Sequence, residues 1–377
     1  MRSGRFDVRA GVDRVAHMEP AFRLSLLACT DCGRCDDLCA AHQGGSTLSP
    51  RQLMQTLRSC NGSLLDGAVS PQALWACTTC GACASICPVL ARPLDAVLPL
   101  RRELVDTQRI ETAQSRLLSN LLQSQNTYGT RRAAGGRATA EECVFWTGCA
   151  GAGDERVARL VRATLRILRA AGLCVERFDA EQVCCGDPAR RMGEEGLFQQ
   201  LALRNIETLR QHGVRRVITH CTHCLNVLRN ESPRCGANFE VLHHSEALAL
   251  AMSKRHLPLR ASSITITFHD ACYAGRCNGI YNAPRKILKA VPGLTLREMQ
   301  RTREHSFCCG AGGGRYWCDV SSPARPATLR MAEARATGAS VLAVACPFCL
   351  KTLEAEATDL AVRDVAEIVS EALEERL

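Results

Sequence analysis

Cysteine spacing is the first sign of chemistry in this sequence, which has 24 cysteines in 377 residues. Residues 29–39 read CTDCGRCDDLC and set Cys29, Cys32, Cys35 and Cys39 in a C-x2-C-x2-C-x3-C run. Residues 77–88 read CTTCGACASICP and repeat the run with Cys77, Cys80, Cys83 and Cys87, followed by Pro88. Three thiolates in so tight a loop reach one face of an iron–sulfur cubane. The fourth, expected on the following helix, points at a neighbouring cluster. One cubane 4Fe-4S cluster is therefore expected on Cys29, Cys32, Cys35 and Cys87, and a second on Cys77, Cys80, Cys83 and Cys39. Gly33 and Gly81 stand where backbone must pass close to inorganic sulfide. Ala40 replaces the proline usual after the fourth cysteine, which loosens the chain but removes no ligand. Zinc would need four thiolates per ion, and two matching quartets at this spacing argue against it.

Further along, cysteine returns in a different grammar. WTGC holds Cys149, VCCGD holds Cys184 and Cys185, and CTHC holds Cys221 and Cys224. HDAC then holds Cys272, FCCGA holds Cys308 and Cys309, and CPFC holds Cys346 and Cys349. The displacements between the two sets are 123, 124 and 125 residues (149 to 272, 184 to 308, 221 to 346). A nearly constant displacement across three motifs marks an internal duplication. Each half offers five thiols. Adjacent cysteines suit one ordinary cubane poorly, because neighbouring side chains diverge; a cluster of unusual iron geometry, with a bridging thiolate, suits them better. A zinc ion or a plain cubane that leaves one thiol spare stays open as an alternative.

The elements that must position these thiols follow from periodicity. LSPRQLMQTLR, between the first two quartets, has Pro50 at a helix start and an apolar stripe at Leu53, Met54 and Leu57. It predicts a mainly helical two-cluster domain rather than a small β-rich one. Residues 101–123 favour helix, and the Gly/Ala/Arg-rich stretch at 126–142 reads as a linker. Beyond it, apolar runs end at Cys149, Cys221, Cys272 and Cys346. Helical stripes intervene at Val157, Leu160, Val161, Leu165 and Leu168, and at Leu197, Leu201, Ile206 and Leu209. Alternating strands and helices predict parallel α/β sheets with sites at the strand ends. The expected fold is multidomain: a helical two-cluster domain at 1–125, the linker, and duplicated α/β cysteine-rich domains at 143–262 and 263–377, the last with a C-terminal helix.

Composition narrows the function. The formal charge is +9, but each cubane on four thiolates carries about −2, and arginine is not gathered into a stripe with interleaved aromatics. A nucleic-acid partner is therefore not expected. The N-terminus MRSGRFDVRAGVDRVAHMEP has no apolar export segment, and no 18-residue apolar window predicts a membrane span. Gly312, Gly313 and Gly314 read as a tight turn giving a cluster room rather than a phosphate loop. His220, His223, His243, His244, His269 and His305 lie near motif ends and read mostly as surface residues or hydrogen-bond partners of ligands. Cys60, Cys143, Cys174, Cys235, Cys277 and Cys318 read as small buried hydrophobes.

The two quartets have the spacing of bacterial two-cluster ferredoxins. The pattern of a lone cysteine, CCG and C-x2-C resembles the cysteine-rich (CCG) domain of the heterodisulfide reductases. Its fusion to a helical ferredoxin domain resembles the form of those enzymes in which the two parts are joined in one polypeptide. LWACTTCGAC, GDPARR (186–191), NGIYNAPR (278–285) and CCGAGGGR (308–315) are similar to iron–sulfur oxidoreductases linked to electron-transfer flavoprotein and acyl-CoA dehydrogenases. Many of that group carry an N-terminal membrane domain for which this sequence shows no segment. The resemblance implies one or two further 4Fe-4S clusters, of noncubane type. One would lie on Cys149, Cys184, Cys185, Cys221 and Cys224, the other on Cys272, Cys308, Cys309, Cys346 and Cys349. It implies an oxidoreductase subunit passing electrons between a flavoprotein and a quinone-linked membrane partner, placed in the cytoplasm or on the cytoplasmic face of the membrane. The alternative is a heterodisulfide reductase-like catalytic subunit that makes or breaks a disulfide at a noncubane cluster; a zinc-stabilised scaffold is the third.

Overall fold

The computed structural model describes residues 11–130, 143–178, 182–254, 257–318, 320 and 322–374. Most of the expected linker, 131–142, lies outside the described residues.

Before residue 143 the described chain is helical, with main helices Pro20–Ala28, Pro50–Ser59, Pro71–Ala76, Leu94–Asp106 and Thr112–Ser124. Proline opens the first three, where its missing N–H costs nothing and its fixed φ favours the turn. Ser49 caps Pro50–Ser59 by accepting from the Gln52 backbone N–H at 2.9 Å. Leu53, Met54 and Leu57 on that helix are buried, as their spacing predicts. In one respect the structure departs from expectation. The third cysteine of each quartet, Cys35 or Cys83, sits on a one-turn helix (Arg34–Asp37, Ala82–Ser85), and the fourth, Cys39 or Cys87, lies just beyond it. Gly33 (φ 81°) and Gly81 (φ 72°) supply the left-handed residue that starts each turn.

The remainder holds two four-stranded sheets. The first uses β1 (Cys143–Trp146), β2 (Glu176–Phe178), β3 (Arg216–Thr219) and β4 (Glu240–His243) in the order β2-β1-β3-β4. The second uses β5 (Thr265–Phe268), β6 (Thr295–Leu296), β7 (Val341–Val344) and β8 (Ala361–Asp364) in the order β6-β5-β7-β8. Every pairing is parallel, and the two orders are the same when strands are matched in sequence. The duplication is therefore one of topology as well as of motif. The central strand β7, all apolar, is buried along its whole length, as parallel strands covered on both faces require. The edge strands β2, β4, β6 and β8 are short or charged, which is why hydrophobic runs alone do not reveal them.

The halves face each other with reciprocal packing. The helix Glu155–Ala170, which follows β1, packs on Val365–Ala372, which follows β8. Its counterpart Asn282–Lys289, which follows β5, packs on His244–Lys254, which follows β4. Exchange of equivalent elements in this way describes a pseudo-two-fold axis between the halves. Arg156 ties the first contact, donating to Glu354 and Glu367 at 2.9 Å each.

Candidate functional site

The helical domain folds its two cysteine runs around two adjoining cavities. One is lined by Cys29, Cys32, Cys35 and Cys87, with Met54 from Pro50–Ser59. The other is lined by Cys39, Cys77, Cys80 and Cys83, with Leu53 from the same helix. Cys83 also borders the first cavity. Each cavity thus gathers three cysteines of one run and the fourth of the other. Several N–H groups point at these sulfurs: Ala91 at Cys87 (3.2 Å), Thr79 at Cys77 (3.4 Å) and the Gln55 amide at Cys29 (3.6 Å). Burial pushes the Cys77 and Cys83 thiols up, so ionising them without an iron partner is costly.

In each cysteine-rich half the thiols converge where parallel strands end. Thr147 and Cys149 follow β1, Cys221 follows β3, Cys272 follows β5 and Cys346 follows β7. Cys149, Cys184, Cys185, Cys221 and Cys224 are all buried. Their thiols form a connected set: Cys149 with Cys184, Cys184 with Cys185, Cys185 with Cys224, and Cys224 with Cys221. In the second half, Cys272 meets Cys308, Cys308 meets Cys309, Cys309 lies 3.4 Å from Cys349, and Cys349 meets Cys346. Asn205, on the helix Glu195–Gln211, holds the first CCG turn. Its Oδ1 accepts from Val183 N and its Nδ2 donates to Cys184 O, both at 3.0 Å. It takes the inward place next to Ile206, which is only half-buried, and a polar residue within an apolar stripe gives no sequence signal of such a role.

These sets are joined across the domain boundaries. The Cys80 thiol of the helical domain meets the Cys308 thiol of the second half. Cys80, Cys272, Tyr273, Phe307 and Cys308 share one apolar cluster with Leu38, Ala40 and Ala82. Cys221 of the first half meets its counterpart Cys346. Thiol contacts therefore run without interruption from the second cavity to Cys149. Arg101, fully buried, pins the junction: it donates to Leu74 O (2.6 Å), Cys77 O (2.7 Å), Arg191 O (2.7 Å) and Gly313 O (3.0 Å). Burial lowers it to about 10, so it stays charged at neutral pH. Gly312 and Gly313 lie against the carbonyls of Thr78 and Cys77, where a Cβ would collide. The glycine run is the expected tight turn, closed by Arg315 N–H donating to Gly312 O at 3.2 Å, and it is also a site of close backbone approach between domains.

A buried ionic network flanks the first half's site. Asp187, directly after the CCG turn, bonds His223 Nδ1 at 2.8 Å and Arg191 Nε at 3.0 Å. Glu231, at the end of the π-helical turn Val227–Glu231, receives Arg191 and Arg190. Burial opposes charge on His223, yet Asp187 holds it up at about 9. Tyr273 closes the gap between the three parts, with its hydroxyl 2.8 Å from Thr79 Oγ1 and its ring 4.6 Å from that of His223.

The residues fit iron–sulfur clusters by a test independent of cysteine number. Among the described residues, Arg276 Nη2 and His269 Nε2 are buried nitrogens without a hydrogen-bond partner. Arg276 lies at the junction of Cys80, Cys272 and Cys308 and donates to Cys80 O at 2.9 Å. His269 lies beside Cys309 and Cys349. Orphaned buried donors are rare, and cluster sulfurs are the acceptors such positions lack.

Two expectations need correction. Of the six histidines near the motifs, His220, His223, His243, His244 and His269 are buried and only His305 is exposed, which corrects the surface half of that reading and leaves the hydrogen-bond-partner half in place. They follow strand ends or sit between ligand positions, so the sheets carry them inward. Of the six unmatched cysteines only Cys318 is buried. Cys174 and Cys277 are exposed, and Cys60, Cys143 and Cys235 are half-buried. They lie in short helices, at helix ends, in loops and at a strand start, where apolar character does not ensure burial.

Comparison with known proteins agrees with this architecture. Residues 25–90 match the 4Fe-4S dicluster domain, and residues 143–229 and 266–354 each match the cysteine-rich domain CCG. The chain is 31% identical to the probable iron-sulfur-binding oxidoreductase FadF of Bacillus subtilis, over 91% of this chain and 58% of that protein. It is 30% identical to the EtfAB:quinone oxidoreductase of Syntrophomonas wolfei, over 97% of this chain and 60% of that one. It is 35% identical to a subunit of the dihydromethanophenazine:CoB–CoM heterodisulfide reductase of Methanosarcina barkeri, over 62% of this chain and 59% of that polypeptide. The chain spans about three fifths of the length of these relatives. The chain thus joins a 4Fe-4S dicluster domain to two CCG cysteine-rich domains, an arrangement that takes multiple 4Fe-4S clusters as cofactors, and it is similar to iron–sulfur oxidoreductases over nearly its whole length.

Proposed function

We propose that this chain carries electrons between a flavoprotein of the electron-transfer-flavoprotein type and a quinone-linked partner, working at the cytoplasmic face of the membrane. The observation that carries the proposal is the contact between Cys80 and Cys308, which joins the helical domain's second cavity to the cysteine-rich sites. The relative named for EtfAB and quinone supports the choice of partners. Among the described residues, no helix is long and apolar enough to cross a membrane, so the quinone site is assigned to a partner or to a segment outside this chain.

The ligand sets follow the two cavities and the two strand-end groups. Cys29, Cys32, Cys35 and Cys87 hold one cubane; Cys77, Cys80, Cys83 and Cys39 hold the other. Cys149, Cys184, Cys185, Cys221 and Cys224 serve the first half, and Cys272, Cys308, Cys309, Cys346 and Cys349 the second. A bound 4Fe-4S cluster accepts or gives single electrons. The protein excludes water from the inner sites, holds neighbouring ligand sets in thiol contact, and places Arg101 and Arg276 where added negative charge needs compensation. Cys32 is exposed, which makes the first cavity the entry or exit for electrons.

The test is anaerobic mixing with reduced electron-transfer flavoprotein, followed by EPR. Rapid reduction of the clusters in a protein with about sixteen irons is expected; zinc with little iron, or clusters that stay oxidised, sinks the proposal. One observation favours a second reading, disulfide chemistry at the second half. An open cavity of about 580 Å³ reaches Cys309, lined also by Arg315, Tyr316, Trp317, Arg325 and Lys351. A new paramagnetic species on titration with thiols or disulfides identifies that activity, and its absence removes it.

A further inference from the structure

Among the described residues, His269, Cys309 and Cys349 bring a ring nitrogen and two Sγ atoms all within 4.8 Å of one another. A histidine so placed acts either as an iron ligand or as a hydrogen-bond donor to sulfur. Its other partner decides between them. Arg330 Nε donates to His269 Nδ1 at 3.1 Å. A guanidinium is always protonated and has no acceptor, so the Nδ1 lone pair is in use and the neutral ring carries its proton on Nε2. Nε2 is buried and has no hydrogen-bond partner among the described residues.

Arg330 is not free to turn away. It is fully buried, and it donates to Glu333 Oε2 at 2.6 Å, Arg301 O at 2.9 Å and Ser306 Oγ at 3.2 Å. Binding iron through Nε2 would move the ring proton to Nδ1, against the guanidinium. We infer that His269 is an N–H donor to a sulfur of the cluster in the second cysteine-rich site, not an iron ligand, and that Arg330 sets this tautomer. The inference rests on the proposal that Cys272, Cys308, Cys309, Cys346 and Cys349 hold a 4Fe-4S cluster.

A hydrogen bond to a ligand sulfur withdraws charge from it and favours the reduced form, which raises the reduction potential. The equivalent place in the first half, at the same displacement of 123 residues, is Trp146, whose Nε1 N–H is likewise buried with no hydrogen-bond partner among the described residues. Two sites with the same five-cysteine pattern thus differ in the side chain at this strand end.

The test uses the full-length holoprotein with 15N-histidine, and the EPR signal that Cys349→Ser alters. Pulsed EPR is expected to show a proton coupling lost in D2O and a weak nitrogen coupling. A strong nitrogen coupling, the mark of an Fe–N bond, overturns the inference. His269→Leu is expected to lower the reduced-to-oxidised ratio at fixed poise about tenfold, which is about 59 mV for one electron. His269→Gln, which restores an N–H near Nε2, is expected to recover most of it. An unmoved potential in His269→Leu at full iron content overturns the inference alone. If His269→Leu fails to assemble, the spectrum of the unmodified protein decides. Iron absent from that site in the unmodified protein overturns the cluster assignment as well.

Discussion

Thr222 of the first cysteine-rich half donates its hydroxyl to the Cys346 sulfur of the second half at 3.2 Å. Cys221, the residue before it, meets Cys346 directly. The two C-x2-C turns therefore touch across the pseudo-two-fold axis, and each half's site borders the other's. Thr222→Val keeps the shape and removes the donor. The potential of the signal that depends on Cys346 is expected to fall, with the reduced fraction at fixed poise down roughly threefold or more. Redox titration monitored by EPR measures it, and the signals of the helical domain serve as the unchanged control.

Arg101→Met leaves the carbonyls of Leu74, Cys77, Arg191 and Gly313 without their buried donor. Orphaned acceptors and a lost charged hydrogen-bond network cost about 3 kcal/mol or more. A lowered urea midpoint in the anaerobic holoprotein is the expected result. Arg102 and Glu195, paired nearby at 3.0 Å, remain in place, so the effect reports on Arg101.

Gly313→Ala drives a methyl into the Cys77 carbonyl from a backbone already at φ 66°. Gly67 has φ 110° but nothing within 4 Å of its would-be Cβ. Gly67→Ala is expected to cost only backbone strain, about 1–2 kcal/mol. Gly313→Ala should exceed it by about 2 kcal/mol and slow electron passage from the helical domain to the cysteine-rich sites. Stopped-flow reduction of the two variants side by side separates strain from lost approach.

Cys87→Ser and Cys39→Ser test the crossed ligand sets. Cys87 lines the cavity of Cys29, Cys32 and Cys35, although it belongs to the other run. Cys87→Ser is expected to alter the cluster held by the first run and spare that of Cys77, Cys80 and Cys83. Cys39→Ser is expected to do the reverse. Iron analysis with EPR distinguishes crossed from uncrossed sets.

His243 and His244 make the fold acid-sensitive. Burial pulls both from the ordinary 6.5 down to about 3. Their surroundings are Asp364, 3.5 Å from His244 Nε2 and pushed well up by burial, Ser245 at 2.7 Å from His243 Nδ1, the His220 carbonyl, and Glu246. Below pH 6.5 the unfolded chain takes protons that the folded chain refuses until about 3. The histidines' contribution is thus whole above 6.5 and is lost as pH falls towards 3, while Asp364, whose raised carboxyl binds its proton more readily in the fold, runs the other way and is common to wild type and variants. Between about pH 7.5 and 5.5 each histidine accounts for about 1.4 kcal/mol. His243→Gln or His244→Gln should each shrink the difference between the unfolding free energies from urea melts at those two pH values by about that amount.

Much of the site was legible in the order of residues. Cluster spacing is a short-range property, because three thiolates in one loop must reach one cubane, and so Cys29, Cys32, Cys35 and their repeats declared themselves. The displacement of CCG motifs likewise revealed the duplication before any sheet was known. Central strands such as VLAV at β7 were visible as apolar runs. The charged edge strand β2 and the two-residue β6 were not, since only pairing with a neighbour makes them strands.

What the sequence by itself determined is the set of thiols and the two-part plan, because both depend on distances along the chain. Tertiary structure alone decided which thiols meet across domains. It brought Cys80 to Cys308 and Cys221 to Cys346, carried five of the motif histidines into the interior, and gave the glycine run its place against Thr78 and Cys77. Those contacts join residues far apart in the chain, where no local period or spacing constrains them, and they arise only when parallel strand ends and a helical domain pack on one another.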